Sequence, residues 1–190
     1  EGGLRASEGP ARGLAKRAPV TGPFMDAFNR PFAVVYPEGS AACREAALHI
    51  QRWWFSWAGG RARLVSDREA LASRFERGLN LVLVGGPSLN AYVREVEGMV
   101  RPVAFRGPDE VVVRGVSYKR EGVGVAFVYP NPLNPLRYIA VVGGESVEAV
   151  EAVHRLPLTL VPDYMVYDPR LLGRAWEGVV SSGFFDENWS

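Results

Sequence analysis

The 190-residue sequence is poor in the side chains that bind metals and form disulfides, with a single cysteine, Cys43, and two histidines, His49 and His154. One cysteine cannot form an internal disulfide or a cysteine-based metal cluster. Metal sites need several converging ligands, and the two histidines lie in separate helical patterns far apart in the chain, which favours a structural role for each. The sequence therefore predicts no metal and no cofactor, and Cys43, which lies among alanines, is interpreted as a small core residue.

Long apolar runs and an excess of one charge are also missing. The longest runs, such as Phe32–Tyr36 and Leu81–Val84, fall far below the roughly 18 residues needed to cross a bilayer. No signal-peptide pattern is visible at the start of the sequence, so localisation stays open. Twenty-two Lys and Arg against 21 Asp and Glu give a formal net charge of +1. This balance does not provide the basic surface that nucleic acids and anionic membranes require, so we expect neither as a partner.

The composition is that of a globular protein, because 47% of the residues are hydrophobic and 23% are charged. A chain of this length can bury a sizeable core and forms one domain, or two at most. Residues 1–22 carry Gly, Ala, Pro and Arg with hardly any apolar periodicity. They are predicted to be a linker or flexible tail. Residues 23–190 are predicted to form a single α/β domain.

Strand and helix patterns alternate in the first half of this domain. Short apolar runs predict buried strands at Phe32–Tyr36, Ala62–Val65, Leu79–Val84, Gly122–Tyr129 and Tyr138–Val142. The first three are each followed by a helical pattern: from Ser40 as N-cap through about Ala58, from Asp67 as N-cap to Arg77, and Leu89–Met99. Three strand–helix pairs in a row indicate parallel strands with helices on both faces. The predicted architecture is therefore a three-layer domain around a mainly parallel central sheet.

The second half of the domain shows a different pattern. Val103–Phe105, Glu110–Val113 and Val116–Lys119 alternate around turn residues, which is typical of a β-hairpin insertion. Ser146–Arg155 has the pattern of an amphipathic helix, and Tyr164–Tyr167 is predicted to be a late strand. These elements extend the predicted sheet and its helical cover.

The sequence contains no recognisable catalytic motif. A serine hydrolase of the α/β class needs G-x-S-x-G, and the nearest match, Gly144–Glu148, has glutamate in place of the second glycine. Ser146 is therefore interpreted as a helix cap. Gly85-Gly86-Pro87 lacks the lysine and the spacing of a phosphate-binding loop. An autonomous hydrolase that uses a serine or Cys43 with His49 or His154 is the least favoured function.

Two other segments are candidates for binding. Tyr129–Pro135 contains three prolines and two asparagines, and a rigid polar loop after a buried strand is expected at the carboxyl edge of the sheet, where α/β folds bind ligands. The predicted cleft at this edge would bring Asn90 opposite Asn131 or Asn134, and the candidate contact residues are Ser40, Ser88, Asn90, Asn131 and Asn134. Alternatively, the two loop asparagines only satisfy the backbone of their own loop.

Four aromatic residues on the first long helix, Trp53, Trp54, Phe55 and Trp57, form the second candidate. They could be a stacking platform for a sugar or single-stranded nucleic acid. An aromatic cluster on one helix is more often part of the core together with a domain interface, because these rings bury large areas. We therefore favour the core and interface roles.

Several phrases of the sequence together resemble the C-terminal domain of esterases of the prolyl-oligopeptidase-like, or α/β-hydrolase, family. They are Gly22-Pro23 with Asp26-Ala27-Phe28, Gly85–Asn90, Tyr129–Pro135 with Arg137-Tyr138, Pro162-Asp163-Tyr164 with Asp168, and Gly183-Phe184-Phe185-Asp186 with Trp189. The resemblance covers about residues 22–190, and its most specific parts are the Pro-Asn-Pro-Leu-Asn-Pro loop and the Gly-Phe-Phe-Asp ending.

The resemblance implies a flavodoxin-like (Rossmann-like) accessory domain that is not itself catalytic and packs on a hydrolase domain, in cis or as a subunit. In that family the catalytic serine and histidine belong to the preceding hydrolase domain, so no catalytic residue is expected in this chain. The linker-like start without an initiator methionine fits a fragment or processed product of a longer hydrolase. The alternative is a separate small-ligand-binding module that uses the carboxyl edge of the sheet.

Overall fold

The computed structural model describes residues 14–73, 78–173 and 177–190. Ten strands lie in these residues: β1 (Phe32–Tyr36), β2 (Arg63–Ser66), β3 (Asn80–Val84), β4 (Val103–Phe105), β5 (Glu110–Val113), β6 (Val116–Lys119), β7 (Gly124–Asn131), β8 (Asn134–Gly143), β9 (Tyr164–Tyr167) and β10 (Val179–Gly183). The α-helices are α1 (Ala41–Ala58), α2 (Asp67–Ala72), α3 (Ala91–Val96) and α4 (Val147–Glu151). Short 3-10 turns cover Phe24–Phe28, Glu97–Met99, Ala152–Arg155 and Leu158–Leu160.

A seven-stranded mixed sheet forms the centre of the fold, in the order β10-β9-β7-β8-β3-β1-β2. Strand β1 pairs in parallel with β2 and β3, and β3 pairs in parallel with β8. All five residues of β3 and all eight of β7 are buried, as expected for strands in the middle of a covered sheet. The apolar runs therefore predicted the positions of the central strands.

The other half of this sheet is antiparallel, so the predicted mainly parallel, flavodoxin-like three-layer fold is wrong. Strand β7 pairs antiparallel with both β8 and β9, and β9 pairs antiparallel with β10. The physical reason lies between β7 and β8, where only Pro132 and Leu133 separate the two strands. A parallel pair needs a crossover of a dozen or more residues, whereas two residues can only close a hairpin.

Helix α1 follows the sequence prediction at both ends. The Ser40 hydroxyl accepts a hydrogen bond from the Cys43 amide at 3.3 Å, which caps the first turn. Gly59 ends the helix with a left-handed φ of 70°. Helix α1 packs against β1 and against α4, while α2 packs against α3.

The other helices are shorter than predicted. Helix α2 is capped by the Ser66 hydroxyl rather than by Asp67 and reaches Ala72; the predicted continuation to Arg77 falls on residues 74–77, which lie outside the described part. Helix α3 starts after Asn90 and becomes a 3-10 turn at Glu97. Helix α4 is capped by Ser146, whose hydroxyl accepts from the Ala149 amide at 3.0 Å, as the sequence predicts.

Strands β4, β5 and β6 form a separate three-stranded antiparallel sheet, which confirms the predicted β-hairpin insertion. The Tyr118 hydroxyl donates to the Ser181 hydroxyl at 3.0 Å and joins this small sheet to β10. The small sheet therefore extends the domain at the antiparallel side of the main sheet.

Both ends of the described chain pack on the domain. Residues 14–22 belong to the segment predicted to be a linker, yet Val20 is buried and the Lys16 ammonium pairs with the buried carboxylate of Asp163. Lys16 also donates to the Phe185 carbonyl oxygen at 2.7 Å. Residues 1–13 of the predicted linker lie outside the described part. Within the described ranges, no helix is both long enough and apolar enough to cross a membrane.

Candidate functional site

The carboxyl edge of the parallel strands is the first place where the sequence predicts a site. Strands β1, β3 and β8 run in the same direction, so the segments after them meet at this edge. Ser40 follows β1, Ser88 and Asn90 follow β3, and Glu145 follows β8. The structure therefore brings three of the five predicted contact residues to one edge of the sheet.

Two of the predicted contact side chains at this edge, those of Ser40 and Asn90, are engaged in holding the fold. The fully buried Asn90 side chain accepts from the amides of Tyr92 and Val93 at 2.9 and 3.3 Å, and it donates to the Val84 carbonyl oxygen at 2.9 Å. These bonds cap α3 and fasten it to the end of β3. Ser40 caps α1 in the same way. Their polar atoms therefore serve the backbone.

Two carboxylates of the chain itself occupy the amides that an anionic ligand would use here. Asp67, only 4% exposed, accepts from the amides of Glu38, Arg68 and Ala91 at 3.1, 3.0 and 2.8 Å. The Glu145 carboxylate accepts from the Ser88 amide at 3.1 Å. Burial raises the pKa of Glu145, and the bond from the Ser88 amide opposes that rise. Carboxylates of the chain itself thus bind the backbone amides of the segment that follows β3.

Asn131 and Asn134 do not lie at this edge, and the predicted cleft that they would share with Asn90 is wrong. Val142 pairs with Val84 at the end of β3 and so marks the carboxyl edge. Pro130 pairs with Tyr138, which precedes Val142 by four residues. Asn131 lies one residue further along β7, so it is about 16 Å from the carboxyl edge. The cause is the β7–β8 hairpin, whose turn precedes β8 instead of following a parallel strand.

The two hairpin asparagines satisfy backbone and core groups near the turn. Asn131 is fully buried; it donates to the Tyr92 hydroxyl at 3.0 Å and accepts from the Leu133 amide at 3.0 Å. The Asn134 side chain accepts from the Leu136 amide at 3.3 Å. This arrangement is the alternative considered from the sequence, in which the asparagines brace their own loop.

The residues considered for nucleophilic catalysis are held apart from one another. Cys43 is 1% exposed, and burial raises the pKa of its thiol. Ser146 donates to the Gly122 carbonyl oxygen at 3.3 Å in addition to capping α4. Among the described residues, no hydrogen bond joins His49 or His154 to a serine or to Cys43. A nucleophile with an adjacent base, the minimum for such chemistry, is not formed by these side chains.

A groove between α1 and α4 lies near these residues and has a volume of about 780 Å³. Its lining combines apolar side chains with Glu45, His49 and Arg52 from α1, Glu151 from the end of α4 and His154 from the 3-10 turn that follows. A concave apolar surface with a few polar groups of this volume is typical of small-ligand sites. We call it the α1–α4 groove.

The two histidine rings meet inside the α1–α4 groove. Their centroids are 6.1 Å apart with an interplanar angle of 74°. Burial is the main reason that the pKa of His49 lies below its ordinary value, and the nearby His154 and Arg52 lower it further. Sequence reasoning missed this pair because it depends on the packing of α4 against α1. The available signal was the helical spacing of Glu45, His49 and Arg52, which places them on one face.

The C-terminal end of α1 forms an exposed aromatic surface. Phe55 and Trp57 are 52% and 57% exposed, and the Arg61 guanidinium lies 5.9 Å from the Phe55 ring centroid. Trp57 stacks on Trp53 at 5.9 Å with an interplanar angle of 7°. We call Phe55, Trp57 and Arg61 the aromatic surface. It rests on the core, because Trp53 packs edge-on against the buried Phe28 at 5.4 Å.

The chain matches no protein-family model, and a search of curated proteins likewise gave no match. The resemblance to the C-terminal domains of prolyl-oligopeptidase-like esterases therefore receives no support from these comparisons.

Proposed function

We propose that this chain is a non-catalytic accessory domain that packs on a partner domain through the aromatic surface. The observation that carries the proposal is the exposure of two aromatic rings at the end of α1, Phe55 with Arg61 beside it and Trp57 stacked on Trp53. Aromatic residues and arginine are enriched in the centres of protein interfaces, where they contribute most of the binding energy. On an isolated surface such rings would expose a large apolar area to water.

The non-catalytic part of the proposal rests on the roles of the candidate nucleophiles. Ser40 and Ser146 cap helices, and the thiol of Cys43 is buried with a raised pKa. Each of these groups serves the fold, and in the described residues none of them is hydrogen-bonded to a histidine. The partner is a hydrolase domain, as the sequence resemblance implies, either in the same polypeptide or as a separate subunit.

The experiment has two arms. In the first, the isolated chain is assayed on p-nitrophenyl esters and peptide anilides, and we expect no hydrolysis above buffer. Turnover that is abolished by changing Ser88, Ser146 or Cys43 to alanine would contradict the proposal and establish an autonomous hydrolase.

In the second arm, the DNA upstream of the codon for Glu1 is sequenced for an open frame that encodes G-x-S-x-G. The encoded domain is then titrated with this chain and with Trp57→Ala. Loss of one exposed interface tryptophan should weaken the association at least tenfold. Phe184→Ala is the matched control, because Phe184 is 61% exposed beyond β10, at the far side of the sheet from α1. Equal binding of Trp57→Ala and the wild-type chain would contradict the assignment of the interface.

A second function, small-ligand binding, is favoured by the α1–α4 groove. Its volume of about 780 Å³ and its lining of apolar and polar side chains suit a small molecule. This proposal replaces the predicted carboxyl-edge site, because the chain's own carboxylates occupy that edge. Ligand-induced changes in the thermal midpoint of the isolated chain, screened with a small-molecule collection and repeated with His49→Ala, would test it.

A further inference from the structure

A second groove lies at the opposite end of the parallel strands from the carboxyl edge. Strands β1, β2 and β3 are parallel neighbours, so the segments that precede them meet at their amino ends. Residues 28–32 lead into β1, residues 60–63 lead from α1 into β2, and Leu79 directly precedes β3. Together with Trp54 of α1 they line a groove of about 520 Å³, a volume typical of small-molecule sites. We call it the amino-edge groove.

Three aromatic rings form an apolar wall in the amino-edge groove. The half-buried Trp54 packs edge-on against Phe32, with ring centroids 5.2 Å apart, and lies tilted against Phe28 at 5.7 Å. Phe28 and Phe32 are both buried and belong to the core. The wall is therefore held in place by the fold and offers a preformed apolar contact to a ligand.

Arginines from three segments of the chain line the same groove. Arg30 lies before β1, Arg61 lies after α1, and Arg63 begins β2. The described lining contains no aspartate or glutamate. Arg63 donates to the Glu69 carboxylate outside the lining at 2.9 Å, in a pair whose two side chains are about half exposed. The groove thus concentrates positive charge and favours an anionic ligand.

Two of the three guanidiniums have hydrogen-bond donors available. Among the described residues, the Arg30 side chain has no hydrogen-bond or ion-pair partner, and the Arg61 side chain contacts only the Phe55 ring. A guanidinium presents its N–H donors in a planar fork that matches the two oxygens of a carboxylate or a phosphate. Arg30 and Arg61 can therefore both bind an anionic group that enters the groove.

The indole N–H of Trp54 is a further donor in the lining. No side chain or backbone oxygen of the described residues accepts a hydrogen bond from it. Gly60 lies directly beside this nitrogen, because a Cβ atom at position 60 would lie only 2.7 Å from Nε1. Any larger residue here would press on the indole nitrogen, so the glycine leaves this donor uncovered.

We propose that the amino-edge groove binds a small aromatic anion, with its carboxylate or phosphate group held by Arg30 and Arg61 and its ring against the aromatic wall. Both parts of such a ligand are needed. An inorganic anion would form only exposed ion pairs, which salt screens, and a neutral aromatic molecule would leave the guanidiniums without an acceptor. Arg30 and Trp54 lie outside the aromatic surface and outside the α1–α4 groove, so neither proposed function assigns this site.

The test is calorimetric titration of the full chain, at low ionic strength, with 2-naphthoate, 2-naphthyl phosphate, 2-naphthol and inorganic phosphate. We expect one of the two aromatic anions to bind with a stoichiometry of one, at least tenfold more tightly than 2-naphthol and inorganic phosphate. Tighter binding of 2-naphthyl phosphate supports the proposal with a phosphate as the anionic group, and tighter binding of 2-naphthoate supports it with a carboxylate. Equal binding of 2-naphthol and the anions would overturn the proposal, as would absence of binding.

Variants locate the site. Arg30→Ala and Arg61→Ala should each weaken binding of the preferred anion about tenfold, because each removes charge-assisted hydrogen bonds. Both side chains are exposed, so these variants are expected to fold. Arg106→Ala is the matched control, since it removes the same charge from an exposed position beside the small sheet and should leave the affinity unchanged. Binding that both Arg30→Ala and Arg61→Ala retain would overturn the proposal.

Nuclear magnetic resonance supplies an independent measurement. The indole N–H signal of Trp54, assigned by its absence from the spectrum of Trp54→Phe, should shift as the anion is added to the wild-type chain. An unchanged Trp54 signal at saturation would overturn the assigned site. Arg61 also belongs to the aromatic surface, but Arg30 does not, and every titration uses the isolated chain. Failure here therefore leaves the test of partner docking with Trp57→Ala unaffected.

Discussion

Buried carboxylates of this chain act as acceptors for the backbone at the ends of strands. Asp168, at the end of β9, accepts from the Arg170 amide at 3.0 Å and from two nitrogens of its guanidinium at 3.0 and 3.2 Å. Its side chain is only 4% exposed, although that of Arg170 is 53% exposed. The hydrogen bonds from the Arg170 side chain are the main reason that the pKa of Asp168 lies below its ordinary value, and burial acts in the opposite direction.

The lowered pKa of Asp168 predicts a pH dependence of stability. A carboxyl group whose pKa is lower in the folded state stabilises the fold above its unfolded pKa of about 4, and this contribution is lost as the pH falls through the folded value. Asp168→Asn should therefore lower the urea midpoint at pH 7 and flatten its decline between about pH 5 and pH 2. Urea unfolding of both proteins at three pH values measures this. Parallel declines in the two proteins would contradict it.

At the scale of single elements, local signals predicted the structure well where they act within one segment. Ser40 as N-cap and Gly59 after the last turn predicted both ends of α1, and Ser146 as N-cap predicted the start of α4. The direction of β7 relative to β8 was not predicted, because it depends on how few residues separate the strands. Three prolines in Tyr129–Pro135 suggested a long loop, whereas Pro130 and Pro135 lie in the ends of the two strands.

The same reasoning explains why the candidate site was predicted only in part. Ser40, Ser88 and Asn90 follow parallel strands, so topology alone places them at the carboxyl edge. The side chains of Ser40 and Asn90 bond to backbone groups of their own segments. The amides of Ser88 and Ala91 are bonded to Glu145 and Asp67, which come from other segments and could not be assigned from the local sequence. The α1–α4 groove depends on the packing of helices about 100 positions apart, so the helical spacing of Glu45, His49 and Arg52 could indicate only one of its two sides.

The β7–β8 hairpin offers a prediction at the element scale. Asn131→Ala removes the bonds to the Tyr92 hydroxyl and the Leu133 amide from a fully buried position. Loss of a buried polar partner costs about 1–3 kcal/mol, so the thermal midpoint should fall. Asn134→Ala is the control, because Asn134 is only partly buried and should cost less. Partner docking should remain unchanged in both variants; a variant with weakened binding but a normal midpoint would restore a ligand role for Asn131.

At the scale of the whole molecule, the described terminal segments are joined to each other across β9. The Lys16 ammonium pairs with Asp163 and donates to the Phe185 carbonyl oxygen at 2.7 Å, and it lies 4.9 Å from the centre of the Trp189 ring. Asp163 also accepts from the Phe185 amide at 2.9 Å. Gly22 must approach this carboxylate closely: its φ is 73°, and a side chain there would lie 2.5 Å from Asp163 Oδ1.

The ion pair between Lys16 and Asp163 should be important for the stability of the whole domain, because Asp163 has no exposed side-chain surface and the Lys16 side chain is only 17% exposed. Removing one member of a buried ion pair leaves an uncompensated charge and costs about 3–5 kcal/mol. We therefore expect Lys16→Met to lower the free energy of unfolding by about 3 kcal/mol, measured by urea denaturation. In the double variant Lys16→Met with Asp163→Asn the stranded charge is removed, so part of the loss should be recovered.

The control is Lys119→Met, which removes the exposed ion pair with Glu110 at 3.7 Å and should change the stability by less than about 1 kcal/mol. A Lys16→Met protein as stable as the control would show that the ion pair between Lys16 and Asp163 contributes nothing to the stability of the fold.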